Sequence, residues 1–532
     1  MEKRLSFHGV LMTCVVVLAV FLSSCSKSAY KKAIPADAPV VFELDVKDVG
    51  MKSEFASQRN DVADLVEAID PDDKDLQKIA DALRNPEDMG LDFLNPMYLF
   101  MDNALEEVFF LASVRDEDAL IAKLESFRNF EVDKDGDLGW VLLNGRNMGV
   151  LTSKVLLLGS QSDKQIYREL LKNDKSFFDI PEGKYFEKHT GDLTACLNAK
   201  SLSRKAQRDI RREVEREVRE LRDVMNDEIW ERLFETEVVV NLECKAGEIA
   251  LNLFCDAEED KDDIDVLNVK VSKDVLKMVP NRDLLALVAL GIDGPEICEQ
   301  VDKAMDKSDI SFNSQEKMVY NMFKQILRKT DGTAAVALFG RNFDDDPDFL
   351  GILPTPYEEV EPMLEIFGDE IPRSIAIDGD KKSISATNIR NYSHGEVKPS
   401  FEKASRATSA YVYAFVEAEP LVEAAFDDMT RRTIPEEVRF LNALRALADL
   451  ADFAELKVET KDAAQLLLVL NNDSKNALAF LLSHGIKIGN AYIEYENARS
   501  ASYREYYDEI YDLHDDLYEE EDAVSSATVI AE

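Results

Sequence analysis

Ile34-Pro35-Ala36-Asp37-Ala38-Pro39-Val40-Val41-Phe42 and, 245 positions later, Val279-Pro280-Asn281-Arg282-Asp283-Leu284-Leu285-Ala286-Leu287 share one form: an aliphatic-Pro turn that launches an apolar run. Proline fixes φ and withholds a donor, so the run beyond each turn reads as a fresh strand. A helical pattern follows in both places. Each opening strand has a sister further on, near Leu193 to Ala199 and near Tyr411 to Val416, and each sister precedes a long helix and a tight hairpin.

The first hairpin runs from Val238 to Cys255 about a turn at Ala246-Gly247. A side-chain period of two puts Val238, Val240, Leu242, Cys244, Ile249, Leu251, Leu253 and Cys255 on one face. In the second copy Leu456, Val458 and Thr460 correspond to Val240, Leu242 and Cys244, with Glu459 and Lys461 matching Glu243 and Lys245 on the opposite face. That agreement of parity predicts two related halves, 34–278 and 279–497, from an internal duplication. Turn signals at Asp135-Gly136, Asn144-Gly145 and Asn147-Met148-Gly149 add a meander around Leu138 to Gly159. The fold class expected is α+β: antiparallel sheets with helices packed on one face, rather than a doubly wound parallel sheet.

The 532 residues are 45% hydrophobic, enough apolar material for several domains' worth of core. With 63 Lys+Arg against 105 Asp+Glu the net charge is −42, which repels phosphate backbones and excludes nucleic acid as a partner. Helical spacing from Ser201 to Glu235 reads as one long arm or a kinked pair. Its basic cluster, Arg204, Lys205, Arg208, Arg211 and Arg212, is interleaved with acids and reads as a salt-bridged, solvated face.

Residues 1–24 have the form of a signal peptide: Lys3 and Arg4, an apolar run from Val10 to Leu22, then Leu22-Ser23-Ser24-Cys25. The run is too short to span a bilayer. Leu-Ser-Ser-Cys resembles the bacterial lipobox, which implies that Cys25 is lipidated and anchors the mature protein to the membrane. Residues 25–33 form a short basic tether. Surface lipoproteins of the Bacteroidetes resemble one another in an acidic cluster after the lipidated Cys, and this tether departs from that pattern. Outer-membrane attachment facing the periplasm is therefore expected over the cell surface. The lipobox, the tether and the strand opening at Ile34-Pro35-Ala36-Asp37-Ala38, with Phe42, Leu44 and Val46 alternating, resemble a Bacteroidetes lipoprotein family whose domain is of unknown function. The resemblance implies location and fold, and no reaction.

Residues 498–532 form an acidic, Tyr-rich C-terminal segment. Tyr503, Tyr506, Ile510, Leu513 and Leu517 make a helical seam that docks on the chain's own body or on an envelope protein partner. Past the tether, Cys196, Cys244, Cys255 and Cys298 allow three disulfide connectivities, or buried thiols. The hairpin register sets Cys244 opposite Ile249 and Cys255 opposite Val238, too far apart to bridge each other.

Phosphate-loop, His-Glu-x-x-His, Gly-x-Ser-x-Gly and Cys-x-x-Cys motifs do not occur. His189, His394, His484 and His514 share no ligand spacing. Trp140 and Trp230 are a thin supply for stacking sugars. Asp133, Asp135 and Asp137 alternate as in a calcium loop, but the sixth-position Gly and the downstream Glu are missing, and a turn on Asp135-Gly136 explains them more simply. The acidic loops Glu258 to Asp265 and Asp344 to Asp348 read as solvated connections. The leading expectation is a lipid-anchored, non-catalytic binding or scaffold protein without a cofactor. The alternatives are a hydrolase using two carboxylates, or a calcium-dependent glycan or adhesion binder.

Overall fold

The computed structural model describes residues 29–103, 107–217, 227–256, 268–307, 314–340, 347–367, 371–427 and 435–501. The first half supplies β1 (Val40–Leu44), β2 (Met97–Asp102), β3 (Glu107–Ser113), β4 (Phe130–Asp135), β5 (Leu138–Leu143), β6 (Arg146–Leu151), β7 (Val155–Gly159), β8 (Leu193–Asn198), β9 (Glu237–Lys245) and β10 (Glu248–Asp256). The second supplies β11 (Leu284–Asp293), β12 (Asp331–Phe339), β13 (Asp348–Leu353), β14 (Ala376–Gly379), β15 (Ile384–Thr387), β16 (Val412–Glu417), β17 (Ala451–Thr460) and β18 (Ala463–Leu470). All pair antiparallel in one 18-stranded sheet, so the chain is α+β as its pattern predicts.

The central order is β3-β2-β1-β8-β9-β10-β18-β17-β16-β11-β12-β13. Read outward from the β10–β18 pair, both halves run hairpin, sister strand, opening strand, next strand. The aliphatic-Pro turns are also tied down alike: Pro35 bridges Ser176 and Pro280 bridges Ser400. Phe177 N–H donates to Ile34 O at 3.0 Å, and Phe401 N–H to Val279 O at 2.8 Å.

The hairpin register matches expectation, with Cys244 opposite Ile249 and Cys255 opposite Val238. Two expectations fail. A bulge between Val458 and Thr460 pairs Thr460 with Ala463, so Thr460 leaves the face that Cys244 keeps. Asn147-Met148-Gly149 is not a turn but a bulge inside β6. Gly149 sits there because a Cβ would lie 2.4 Å from Leu157 O, and the real turn follows Leu151, where Thr152 Oγ1 accepts from the N–H groups of Lys154 and Val155. Of the two readings for 201–235, one long arm or a kinked pair, the described residues hold helices Arg204–Glu217 and Asp227–Glu235 folded back on each other. The Arg211 guanidinium lies 5.8 Å from the Trp230 ring, whereas 19 residues of continuous helix would separate them by about 28 Å.

Two cores lie on one face of the sheet. In the first half Val41, Tyr98, Phe100, Phe109, Leu111 and Trp140 pack beneath Tyr30, Phe177 and Phe186. In the second Leu287, Ala337, Leu350, Tyr413 and Phe415 pack beneath Val279, Phe401 and Ala407. On the opposite face, helices Phe55–Ile69, Lys74–Arg84 and Glu117–Ser126 cover the margin through Met97, Ala112 and Leu156. The helix at 477–501 joins them: Leu482 and Ile486 reach that cluster, and Phe440 of Pro435–Ala448 stacks on Tyr495.

Candidate functional site

The residues singled out in the sequence do not converge. Cys25, the signal segment, the acidic loop at 258–265, most of that at 344–348 and the seam from Tyr503 to Leu517 lie outside the described residues. Asp133 and Asp135 both lie on β4, ahead of the hairpin turn at Gly136 and Asp137, and pair with cations of helix Lys164–Leu171, Asp133 with Lys164 at 3.5 Å and Asp135 with Arg168 at 2.9 Å. Among the described residues no three His, Cys, Asp or Glu side chains are grouped to hold a metal ion. Trp140 is fully buried under Lys164 and Arg168, and Trp230 is buried too, so neither offers a platform to a sugar. Cys196, Cys244, Cys255 and Cys298 are free thiols.

One catalytic-looking cluster was not visible in the sequence. His394 contacts Ser383 Oγ at 3.2 Å through Nε2 and Ser385 Oγ at 3.0 Å through Nδ1. Asp380 lies 3.8 Å from the same Nε2 that meets Ser383, not from the other nitrogen as an orienting acid must. Its carboxylate instead accepts from the N–H groups of Lys382 and Ser383 in the β14–β15 turn, and both serines are buried. The cluster pins a hairpin.

The sheet's two faces differ chemically. The face carrying the two cores also holds the acids and amides. Glu455, 1% exposed, accepts from Arg406 Nη2 at 2.7 Å, from Tyr413 Oη at 3.0 Å and from Lys457 Nζ at 2.6 Å. Burial pushes its carboxyl up, but the hydrogen bonds from Arg406 and Lys457 outweigh this and hold it below the usual range. Asn241, Asn252 and Gln465 bond side by side across β9, β10 and β18 at 2.8 and 2.7 Å. Glu237 accepts from Cys196 Sγ at 3.2 Å through Oε1 while Oε2 has no partner, and burial raises its pKa to about 7. Glu43 takes a 2.6 Å bond from Tyr98 Oη and is likewise raised by burial.

The other face of the same strands carries no polar side chain across the centre of the sheet. Leu44, Leu193, Leu242, Leu251 and Leu466 stand in direct register on β1, β8, β9, β10 and β18, and the row continues through Leu456, Ala414, Val288 and Val336. A second row beside it runs Phe42, Ala195, Val240, Leu253, Ala464, Val458, Val412, Leu290 and Ala334. Much of this floor is open: Leu193 is 41% exposed, Leu466 46% and Val336 55%. A third row closes where Ala477, Leu478 and Phe480 cover Cys244, Ile249 and Leu468. An antiparallel sheet with one solvated face ordinarily turns polar residues to water, and contiguous open apolar surface of this kind marks a binding surface.

Helices leave the sheet at both ends of these strands. Val46–Lys52, Ala418–Asp427 and the 477–501 helix start at the end marked by Leu44 and Val416, and Arg204–Glu217 and Gly294–Lys307 at the end marked by Leu197 and Leu290. The floor thus lies between two sets of helices. The alternation on β9 and β10 was the sequence signal for it, but alternation alone does not tell which face is covered.

No curated protein and no solved structure matches the chain. Among the described residues no helix is long and apolar enough to cross a membrane. A family model does match residues 30–353, a span that opens just before β1 and closes on β13, and by that match the chain belongs to the family of the domain of unknown function DUF4836.

Proposed function

We propose that the protein is a non-catalytic binding protein of the cell envelope, held to the outer membrane by acyl chains on Cys25 and facing the periplasm, with the open apolar sheet face as its binding surface. The single observation that carries the binding role is the unbroken run of apolar side chains, in register over nine strands and open over much of its length, with Leu44 and Leu242 packed against the helices at its edge. Exposing that area costs stability unless something covers it, because each buried methylene is worth about 0.8 kcal/mol. The two halves, 34–278 and 279–497, are read as products of a duplication, supported by the shared strand order and the Ser176 and Ser400 ties.

The binding role is tested with bis-ANS, a dye that brightens on apolar surface. The native protein is expected to bind it, and Leu251→Glu combined with Leu466→Glu to lose most of the fluorescence at an unchanged melting temperature. Equal fluorescence in both proteins would remove the reading. For the anchor, radiolabelled palmitate is expected on the wild type and not on Cys25→Ser, which should leave the membrane fraction. Label or sedimentation that survives the substitution would refute attachment at that residue.

A further inference from the structure

We infer that the open apolar face holds the two acyl chains of a single lipid molecule without net charge, lifted out of the membrane; this rests on reading that face as the binding surface. The floor offers an occupant neither donor nor acceptor. Its side chains are aliphatic apart from Phe42, and the backbone groups of the inner strands are spent on ladders to both sides. A peptide or glycan laid there would give up hydrogen bonds to water without replacement, whereas an alkyl chain gives up nothing.

The dimensions suit chains rather than a compact ligand. From β1 to β12 the rows cross eight inter-strand steps of about 4.8 Å, a track of about 38 Å, and the two open rows lie about 7 Å apart, side by side. The helices Phe55–Ile69 and 477–501 pack on this side of the sheet and rise above the floor, so neither a flat bilayer surface nor the sheet of a second copy can lie on it unobstructed. A net charge of −42 adds repulsion against a second copy, an anionic membrane surface and a fatty-acid anion, and none against a zwitterionic headgroup.

The test uses the full mature chain with Cys25→Ser, so that no anchor of its own binds vesicles. The probe is phosphatidylethanolamine with a self-quenching NBD-labelled acyl chain, carried in phosphatidylethanolamine and phosphatidylglycerol vesicles. The protein is expected to extract one labelled lipid per chain and raise the fluorescence without floating with the vesicles. Leu251→Glu with Leu466→Glu should lower transfer at least tenfold, while Leu251→Met with Leu466→Met keeps it. Absent transfer, equal transfer by the Glu pair, or transfer seen only when protein floats with vesicles would overturn the proposal, as would preference for a labelled fatty acid. If the Glu pair does not fold, a diazirine in the acyl chain decides on the wild type: adducts on β10, β17 and β18 support the proposal and adducts confined elsewhere refute it. Failed transfer beside a bis-ANS signal that the Glu pair abolishes would sink the lipid and spare the binding surface. Failure of both would sink the two together.

Discussion

Leu466 and Leu467 are neighbours on β18 and live in different surroundings: Leu467 is 4% exposed among Ala250 and Glu455, and Leu466 stands open beside Leu251 and Leu456. The same contrast holds along the central strands. The covered face carries the buried acids, amides and lysine, and the two open rows carry aliphatic side chains and Phe42. Period-two alternation therefore sorts residues into faces without revealing which face is inside. A polar residue is tolerated inside when its partners are supplied, as Arg406, Tyr413 and Lys457 supply Glu455.

The sharpest way to break this comparison is to truncate one residue on each face. Phe415→Ala, in the second-half core, should cost about 3–5 kcal/mol by denaturant unfolding, and Leu466→Ala about 1 kcal/mol or less. Equal losses would mean that both faces are packed. Next in size is Arg406→Met, which leaves Glu455 short of its strongest partner and should cost about 2–3 kcal/mol at pH 7. Since Glu455 titrates below its unfolded value, the stability it contributes is present above about pH 4.5 and is lost as pH falls through its folded value; the difference between wild type and variant should shrink over that acidic window.

Glu237 runs the other way. Its folded pKa, about 7, lies above the unfolded carboxylate value, so the folded state holds the extra proton and stability falls as pH rises from about 4.5 through 7. Glu237→Gln should remove that slope and gain about 1–2 kcal/mol at pH 8. A slope unchanged in the variant would assign it to another group. A small effect, of the order of that at Leu466, is expected for Gly247→Ala. The turn residue sits at φ +70°, and a Cβ would come within 3.0 Å of Asp473, so a loss of about 1 kcal/mol should appear in the melting temperature. That turn holds the register of β9 on β10, and a one-residue slip would exchange the two faces.

Much of the fold was legible because antiparallel hairpins are local. The turn at Ala246-Gly247 and the alternation around it placed Cys244 opposite Ile249, and the sister strands read near Leu193 and Tyr411 form as β8 and β16; that they lie beside β1 and β11 comes from the structure alone. What was illegible depends on distant partners. The bulge at Thr460 follows from its pairing with β18, Gly149 stays in its strand because Leu157 crowds it, and the return of helix Asp227–Glu235 onto Arg211 needs the two-helix geometry. Openness of the floor is the extreme case. The pattern of Val240, Leu242, Leu251 and Leu253 is the pattern of any half-buried sheet, and only the positions of the helices leave it uncovered.

Thiol labelling of adjacent residues on β18 separates an open face from a covered one. In the folded protein Leu466→Cys should react with a polar maleimide at a rate near that of an unstructured peptide, and Leu467→Cys should stay protected until the protein unfolds. Protection at both positions would show that the apolar face is covered, and the binding surface argued for it would not exist.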